Sequence, residues 1–84
     1  MITEKSLYKL RILYILLKYG DLSISNLARK SGIRFNTVKE EVEELERDGL
    51  VEILESKRVK IVKINLTNRK VIILRNLIEE LEDI

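Results

Sequence analysis

A chain of 84 residues can build one hydrophobic core but not two, since at this size only about 60 to 65% of the unfolded surface is buried on folding. The sequence contains no Cys, His, Trp, Pro or Gln, which excludes a thiol nucleophile, an imidazole base and a cysteine–histidine zinc site, so we expect neither an enzyme nor a bound cofactor. The net charge of +2 excludes neither nucleic acid nor protein as a partner.

The first predicted helix runs from about Glu4 to Tyr19, between a capping Thr3 and the helix-ending Gly20. It is apolar nearly all round, which a surface helix of a small domain does not need. We therefore expect its own domain to cover one side and a second copy of the chain to cover the other. The apolar stretch is too short to span a bilayer and contains Lys9 and Arg11, which predicts a cytoplasmic protein with no membrane partner.

Two short helices are predicted next, over residues 25–49. Residues 21–24 are interpreted as a connector or a one-bridge strand, and Ser25 as the cap of a second helix that ends at Gly32. A third helix is predicted from about Phe35 to Asp48, with the apolar spacing of one buried face at Val38, Val42 and Leu45. Two short helices joined by a tight turn with glycine are the signature of a helix-turn-helix.

Alternating and β-branched residues over 50–66 predict a β-hairpin, with strands at about 50–55 and 59–66. Thr67 is predicted to cap a last helix from about Asn68 to Asp83. The apolar stripe of that helix is wider than one neighbour would cover; it comprises Val71, Ile72, Ile73, Leu74, Leu77, Ile78 and Leu81. We expect the first helix (1–20) and this last helix (67–84) to form the interface of a homodimer.

The motif SNLARKSGI at 25–33, followed by Thr37-Val38 and by LERDGLV at 45–51, resembles the winged-helix regulators of bacteria and archaea. Residues 64–67 resemble the strand-to-helix exit of that family. The resemblance implies an α+β fold in a single domain over 1–84: a three-helix core, a β-hairpin wing and an extra C-terminal helix. MarR-like, ArsR-like and TrmB-like families share this plan, and small archaeal and archaeal-virus members are closest in size. The resemblance also implies that helix 3 enters the major groove of DNA and that the wing contacts the flanking DNA backbone.

The predicted DNA contacts lie at the start of helix 3 and on the wing: Arg34, Asn36, Thr37, Lys39, Lys57, Arg58 and Lys60. Arg34 can read a guanine edge and Asn36 an adenine edge, and Thr37 offers a hydroxyl or a methyl group. Lysines suit phosphates, and residues 56–70 carry six Lys and Arg, Lys63 included, with no acid. The alternative interpretation is that these residues are simply solvated, with Asn36 as a local helix cap, and that the wing lysines guard an edge strand against aggregation.

Other residues near this surface are ambiguous. Arg29 and Lys30 of the second helix are as compatible with contacts to the DNA backbone as with simple solvation. Phe35 is expected to pack over the second helix rather than to contact a thymine methyl group. The tyrosines, Tyr8, Tyr14 and Tyr19, are interpreted as core or dimer-interface residues.

Helix 3 departs from a typical basic recognition helix because most of its length is acidic. The acids are Glu40, Glu41, Glu43, Glu44, Glu46 and Asp48. They are compatible with DNA binding if the helix enters the groove only by its N-terminal end.

The leading hypothesis is a homodimeric transcription regulator that binds double-stranded DNA at specific sequences. The alternatives are an adaptor in a replication or transcription assembly and a non-specific chromatin protein. The abundance of Lys and Glu favours a thermophilic source, although five Asn residues argue mildly against it.

Overall fold

A computed structural model describes residues 2–82 of the chain. Its elements are α1 (Glu4–Tyr19), β1 (Leu22–Ser23), α2 (Ile24–Ser31), α3 (Phe35–Arg47), β2 (Val51–Glu55), β3 (Lys60–Ile64) and α4 (Arg69–Glu82). The predicted order of three helices, a hairpin and a last helix is confirmed. The predicted boundaries of α1 are also observed: Thr3 Oγ1 accepts the N–H of Ser6, and Gly20, at a φ of 85°, donates its own N–H to the carbonyl of Leu16.

Residues 22–23 form a strand rather than a simple connector. Leu22 pairs with Val62 and Ser23 with Ile61, which adds β1 to the hairpin and gives an antiparallel sheet in the order β1-β3-β2. The prediction that Ser25 caps α2 is wrong, because α2 begins at Ile24 and the Oγ of Ser23 accepts the N–H of Asn26 at 3.1 Å. Ser25 lies inside the first turn of the helix.

The prediction that Thr67 caps the last helix is also wrong. The Oδ1 of Asn68 accepts the N–H of Lys70 at 2.8 Å, whereas the hydroxyl of Thr67 donates to Oδ1 of Asn65 at 2.6 Å. The side-chain amide of Asn68 also donates to the carbonyl of Gly49 at 3.1 Å, which links the start of α4 to the turn that follows α3. The predicted last residue of this helix, Asp83, lies outside the described residues.

The core lies where α1, α2 and α3 pack against one face of the sheet. Its most buried side chains come from every layer: Ile12 and Leu16 of α1, Leu27 of α2, Val38 and Val42 of α3, and Val62 of β3. Helix α4 joins this core through Val71, which is 1% exposed, and Leu74 packs at its edge. Over residues 2–82 no helix combines the length and the apolar character needed to cross a bilayer.

Candidate nucleic-acid interface

The first turns of α3 form an exposed polar ridge. Val38, Val42 and Leu45 are at most 2% exposed, which turns the opposite side of the helix toward solvent. Arg34, Asn36 and Lys39 are exposed, as predicted, whereas Thr37, which was also expected to point outward, is half-buried. Within residues 2–82 these four side chains have no hydrogen bond or ion pair. They are therefore free to meet a ligand, and Asn36 does not act as a helix cap.

Three of the predicted contact residues meet in a groove between α2, α3 and the wing. This wing groove has a volume of about 360 Å³ and is lined by Ser23, Ile24, Ser25, Phe35, Lys39, Arg58, Val59 and Lys60. Lys39 comes from α3, whereas Arg58 and Lys60 come from the turn and the start of β3. The fold thus brings together cations that lie about 20 residues apart in the sequence, on the side of the molecule where α3 is polar.

The remaining wing cations are placed differently. Lys57 is exposed in the turn, where the N–H of Ser56 donates to the carbonyl of Val59 and closes the hairpin. Lys63 lies on the opposite face of β3 from the buried Val62 and Ile64, and its register partner is Glu52. Lys63 therefore does not join Lys60 in the wing groove. Lys60 itself lies 3.4 Å from Glu55, an exposed ion pair of little strength.

Phe35 is a further candidate interface residue that is not among the predicted DNA contacts. It is 48% exposed, and it lines the wing groove together with Ile24 of α2 and with Val59, which is 44% exposed. The signal that could have revealed it is its position as the first residue of α3, where the helix has no preceding turn to cover the ring.

Several acids of α3 are held by partners within the chain. Glu41 and Glu44 both contact Lys9 of α1, and an oxygen of Glu46 accepts the N–H of Ile53 at 3.0 Å, which covers part of the free edge of β2. Glu40 and Glu43 are exposed. The acidic stretch is thus partly structural, and the polar ridge at the N-terminal end of α3 remains free of carboxylates up to Lys39.

The two basic residues of α2 also have local partners. The guanidinium of Arg29 donates to Oδ1 of Asn26 at 3.0 Å, and the ammonium of Lys30 lies 4.2 Å from the centre of the Tyr19 ring. Such a contact is a cation–π interaction. Tyr19 is 49% exposed, so of the three tyrosines only Tyr8 and Tyr14 pack against the core.

A second exposed surface lies between α1 and α4. We call it the α1–α4 face; its exposed apolar residues are Leu7, Leu10, Leu77 and Leu81, each 48 to 59% exposed. Between the two helices runs a groove of about 640 Å³ that Tyr14, Leu74 and Ile78 also line. Large apolar side chains grouped in this way mark interaction surfaces.

Among the described residues no group of three acidic, His or Cys side chains could hold a metal ion.

Residues 6–52, more than half of the chain, match the family model described as winged helix-turn-helix DNA-binding. The chain belongs to this family. The match covers α1, α2, α3 and the start of β2, so it includes the polar ridge of the winged helix but not Lys57, Arg58 or Lys60. No curated protein matches the sequence significantly.

Solved structures share the fold. The homodimeric winged helix-turn-helix DNA-binding domain of Mb0332 from Mycobacterium bovis, a possible ArsR-family transcriptional regulator, superposes with a TM-score of 0.69 at 24% identity, over 90% of this chain and 68% of that one. The AntR antimony-specific transcriptional repressor gives a TM-score of 0.72 at 23% identity, over 89% and 69%. The Zalpha domain of PKZ from Carassius auratus, solved in complex with Z-DNA, gives 0.70 at 17% identity, over 75% and 100%. At these identities the likeness concerns the winged-helix fold alone.

Proposed function

We propose that this winged-helix protein is a homodimeric transcription regulator that binds specific sequences of double-stranded DNA. The observation that carries the proposal is the free polar ridge of Arg34, Asn36, Thr37 and Lys39 beside a basic wing groove, in a chain of a DNA-binding family. A ridge of this kind fits the major groove, which is wide enough for one helix.

Each side chain has a role that follows from its chemistry. Arg34 donates two hydrogen bonds to a guanine, and Asn36 both donates to and accepts from an adenine, so these two residues supply base preference. Thr37 is half-buried and contributes a hydroxyl or a methyl group at close range. Lys39, Lys57, Arg58 and Lys60 bind phosphates and fix the register of the helix without reading sequence.

The α1–α4 face supplies the dimer interface in this proposal. Leu7, Leu10, Leu77 and Leu81 would leave water when a second copy packs there, and burial of each such side chain contributes roughly 1.5 to 3 kcal/mol at most. The homodimeric state of the Mb0332 domain supports this choice of partner. A twofold dimer would present its two α3 helices to half-sites about 34 Å apart.

Selection of binding sites from random duplex DNA tests the proposal. We expect a palindromic motif from the wild-type protein, and loss of base preference at one position of each half-site in Arg34→Ala. A flat selection would favour a chromatin protein. Failure to bind any duplex at 50 mM salt, with capture of a protein partner, would favour an adaptor. Either result overturns the proposal.

The dimer is tested separately by sedimentation of Leu77→Glu. A charge in the α1–α4 face should give monomers and a large loss of DNA affinity, while Leu54→Glu, an equally drastic change at a residue that is 43% exposed on the outer face of the sheet, should leave the dimer intact. A wild-type protein that sediments as a monomer at micromolar concentration would contradict this part of the proposal.

A further inference from the structure

We infer that Phe35 is a specificity-determining residue that contacts the 5-methyl group of a thymine on the wing side of the bases read by Arg34 and Asn36. The inference rests on the proposed function, because it requires α3 to lie in the major groove. It assigns to the site a ligand group that the polar residues of the ridge do not recognise.

The exposure of Phe35 is anomalous for its position on the helix. Phe35, Val38, Val42 and Leu45 follow the spacing of one helix face, and the last three are at most 2% exposed, whereas Phe35 is 48% exposed. The ring lies at the N-terminal end of α3, where α2 and the wing stand apart and leave the wing groove open. An apolar ring is therefore exposed at the end of the otherwise buried face of α3, in the groove that Lys39 also lines.

The surroundings of the ring match the pattern of chemical groups on DNA. Val59 lines the same groove and adds a second exposed apolar surface, and the cations Lys39, Arg58 and Lys60 line that groove as well. In the major groove the one apolar group on a base edge is the thymine methyl, which lies between two rows of phosphates. An apolar patch bordered by cations is complementary to a methyl group bordered by phosphates.

The direction in which the Phe35 side chain points indicates the position of the thymine in the half-site. Phe35 lines the wing groove and so points toward the wing, whereas Asn36 points about 100° away from it around the helix and Arg34 directly precedes the helix. The thymine should therefore lie within one or two base pairs of those that Arg34 and Asn36 contact, toward the side of the half-site that the wing covers.

Replacement of thymine by deoxyuridine tests the inference, since it removes the methyl group and leaves every hydrogen-bonding group in place. Each thymine of a duplex obtained by site selection with the wild-type protein is replaced in turn, and the dissociation constant is measured. We expect one thymine per half-site at which deoxyuridine weakens wild-type binding about fourfold, the effect of exposing one buried methyl group.

Variants of Phe35 assign the effect to this residue. Phe35→Ala should bind the thymine and deoxyuridine duplexes equally well, and Phe35→Leu, which keeps an apolar side chain in the groove, should retain part of the difference. Leu54→Ala is the matched control, since Leu54 is a 43% exposed apolar residue of the wing that does not line the groove, and it should behave as the wild type. Thermal melting of each variant establishes that it is folded.

The possible failures are distinguishable. If the wild type binds a selected duplex but tolerates deoxyuridine everywhere, the inference is overturned and the proposed function stands. If Phe35→Ala loses affinity equally for both duplexes, or Phe35→Leu and Phe35→Ala both keep the full thymine preference, the ring contacts sugar or protein instead, which also overturns it. If the wild type binds no duplex, the proposed function itself fails.

Discussion

The ammonium of Lys9 on α1 lies 3.1 Å from Oε1 of Glu41 on α3, and the Glu41 side chain is only 1% exposed. The two atoms are close but poorly aligned, so Oε1 of Glu41 has no hydrogen bond, whereas Lys9 donates one to Glu44 at 3.3 Å. A buried charge is tolerated only beside an opposite charge. Lys9 therefore joins the helix of the α1–α4 face to the helix of the polar ridge.

Replacement of Lys9 by Met should destabilise the protein by about 3 kcal/mol, the lower end of what the loss of one partner of a buried ion pair costs, because 26% of the Lys9 side chain is in water. Urea denaturation measures this. The control is Lys5→Met: Lys5 is 66% exposed and 3.8 Å from Glu44, so its loss should change stability by less than about 0.5 kcal/mol. The double variant Lys9→Met/Glu41→Leu should recover most of the stability. Equal effects of the two lysine variants would show that Glu41 needs no partner.

The same cluster predicts a pH dependence. Contact with Glu41 raises the pKa of Lys9, and the hydrogen bond from Lys9 lowers the pKa of Glu44 below its ordinary value of 4.5. The contribution of Glu44 is thus complete above that value and is lost as the pH falls through its lowered pKa, while that of Lys9 is complete below 10.5 and is lost as the pH rises through its raised pKa. The stability difference between wild type and Lys9→Met should therefore shrink between pH 6 and pH 3. A difference that stays constant over this range would contradict the assignment.

The order of the elements and the buried face of α3 could be predicted because both depend on local patterns, the period of apolar residues and the position of glycine. The caps could not be predicted from the same patterns. Ser23 and Ser25 are equally good caps as residue types, and the choice is made by β1, whose pairing with β3 fixes Ser23 in an extended conformation. Asn68 is likewise preferred over Thr67 because its amide reaches the carbonyl of Gly49, 19 residues away.

Two serine variants test which residue caps α2. Ser23→Ala removes the hydrogen bond that Ser23 accepts from the Asn26 N–H and should lower the free energy of unfolding by about 1 kcal/mol. Ser25→Ala is the same chemical change two residues later, at an exposed position, and should stay within about 0.5 kcal/mol of the wild type. A larger loss in Ser25→Ala than in Ser23→Ala in thermal or urea unfolding would restore Ser25 as the cap.

The candidate interface likewise has a part that local sequence patterns predict and a part that they do not. That Arg34, Asn36 and Lys39 are exposed follows from the buried face of α3 and was predicted. That Lys60 shares a groove with Lys39 depends on how the hairpin folds back beside α3, a long-range arrangement that no local pattern encodes. The opposite placement of Lys63 was within reach of sequence reasoning, since side chains three residues apart on a strand point to opposite faces.

Lys60 and Lys63 therefore form a matched pair for the last prediction. Both are exposed lysines of β3, so either alanine variant removes one positive charge, but Lys60 lines the wing groove and Lys63 lies on the other face. Each phosphate contact contributes about −0.9 to the slope of log affinity against log salt. In a dimer, Lys60→Ala should make the slope shallower by about 2 and weaken all sequences alike, whereas Lys63→Ala should leave it nearly unchanged. Part of the affinity lost in Lys60→Ala comes from the exposed Glu55, which then lacks its ion-pair partner and repels the DNA phosphates. Equal slopes in the two variants would mean that net charge alone, and not the wing groove, attracts the DNA.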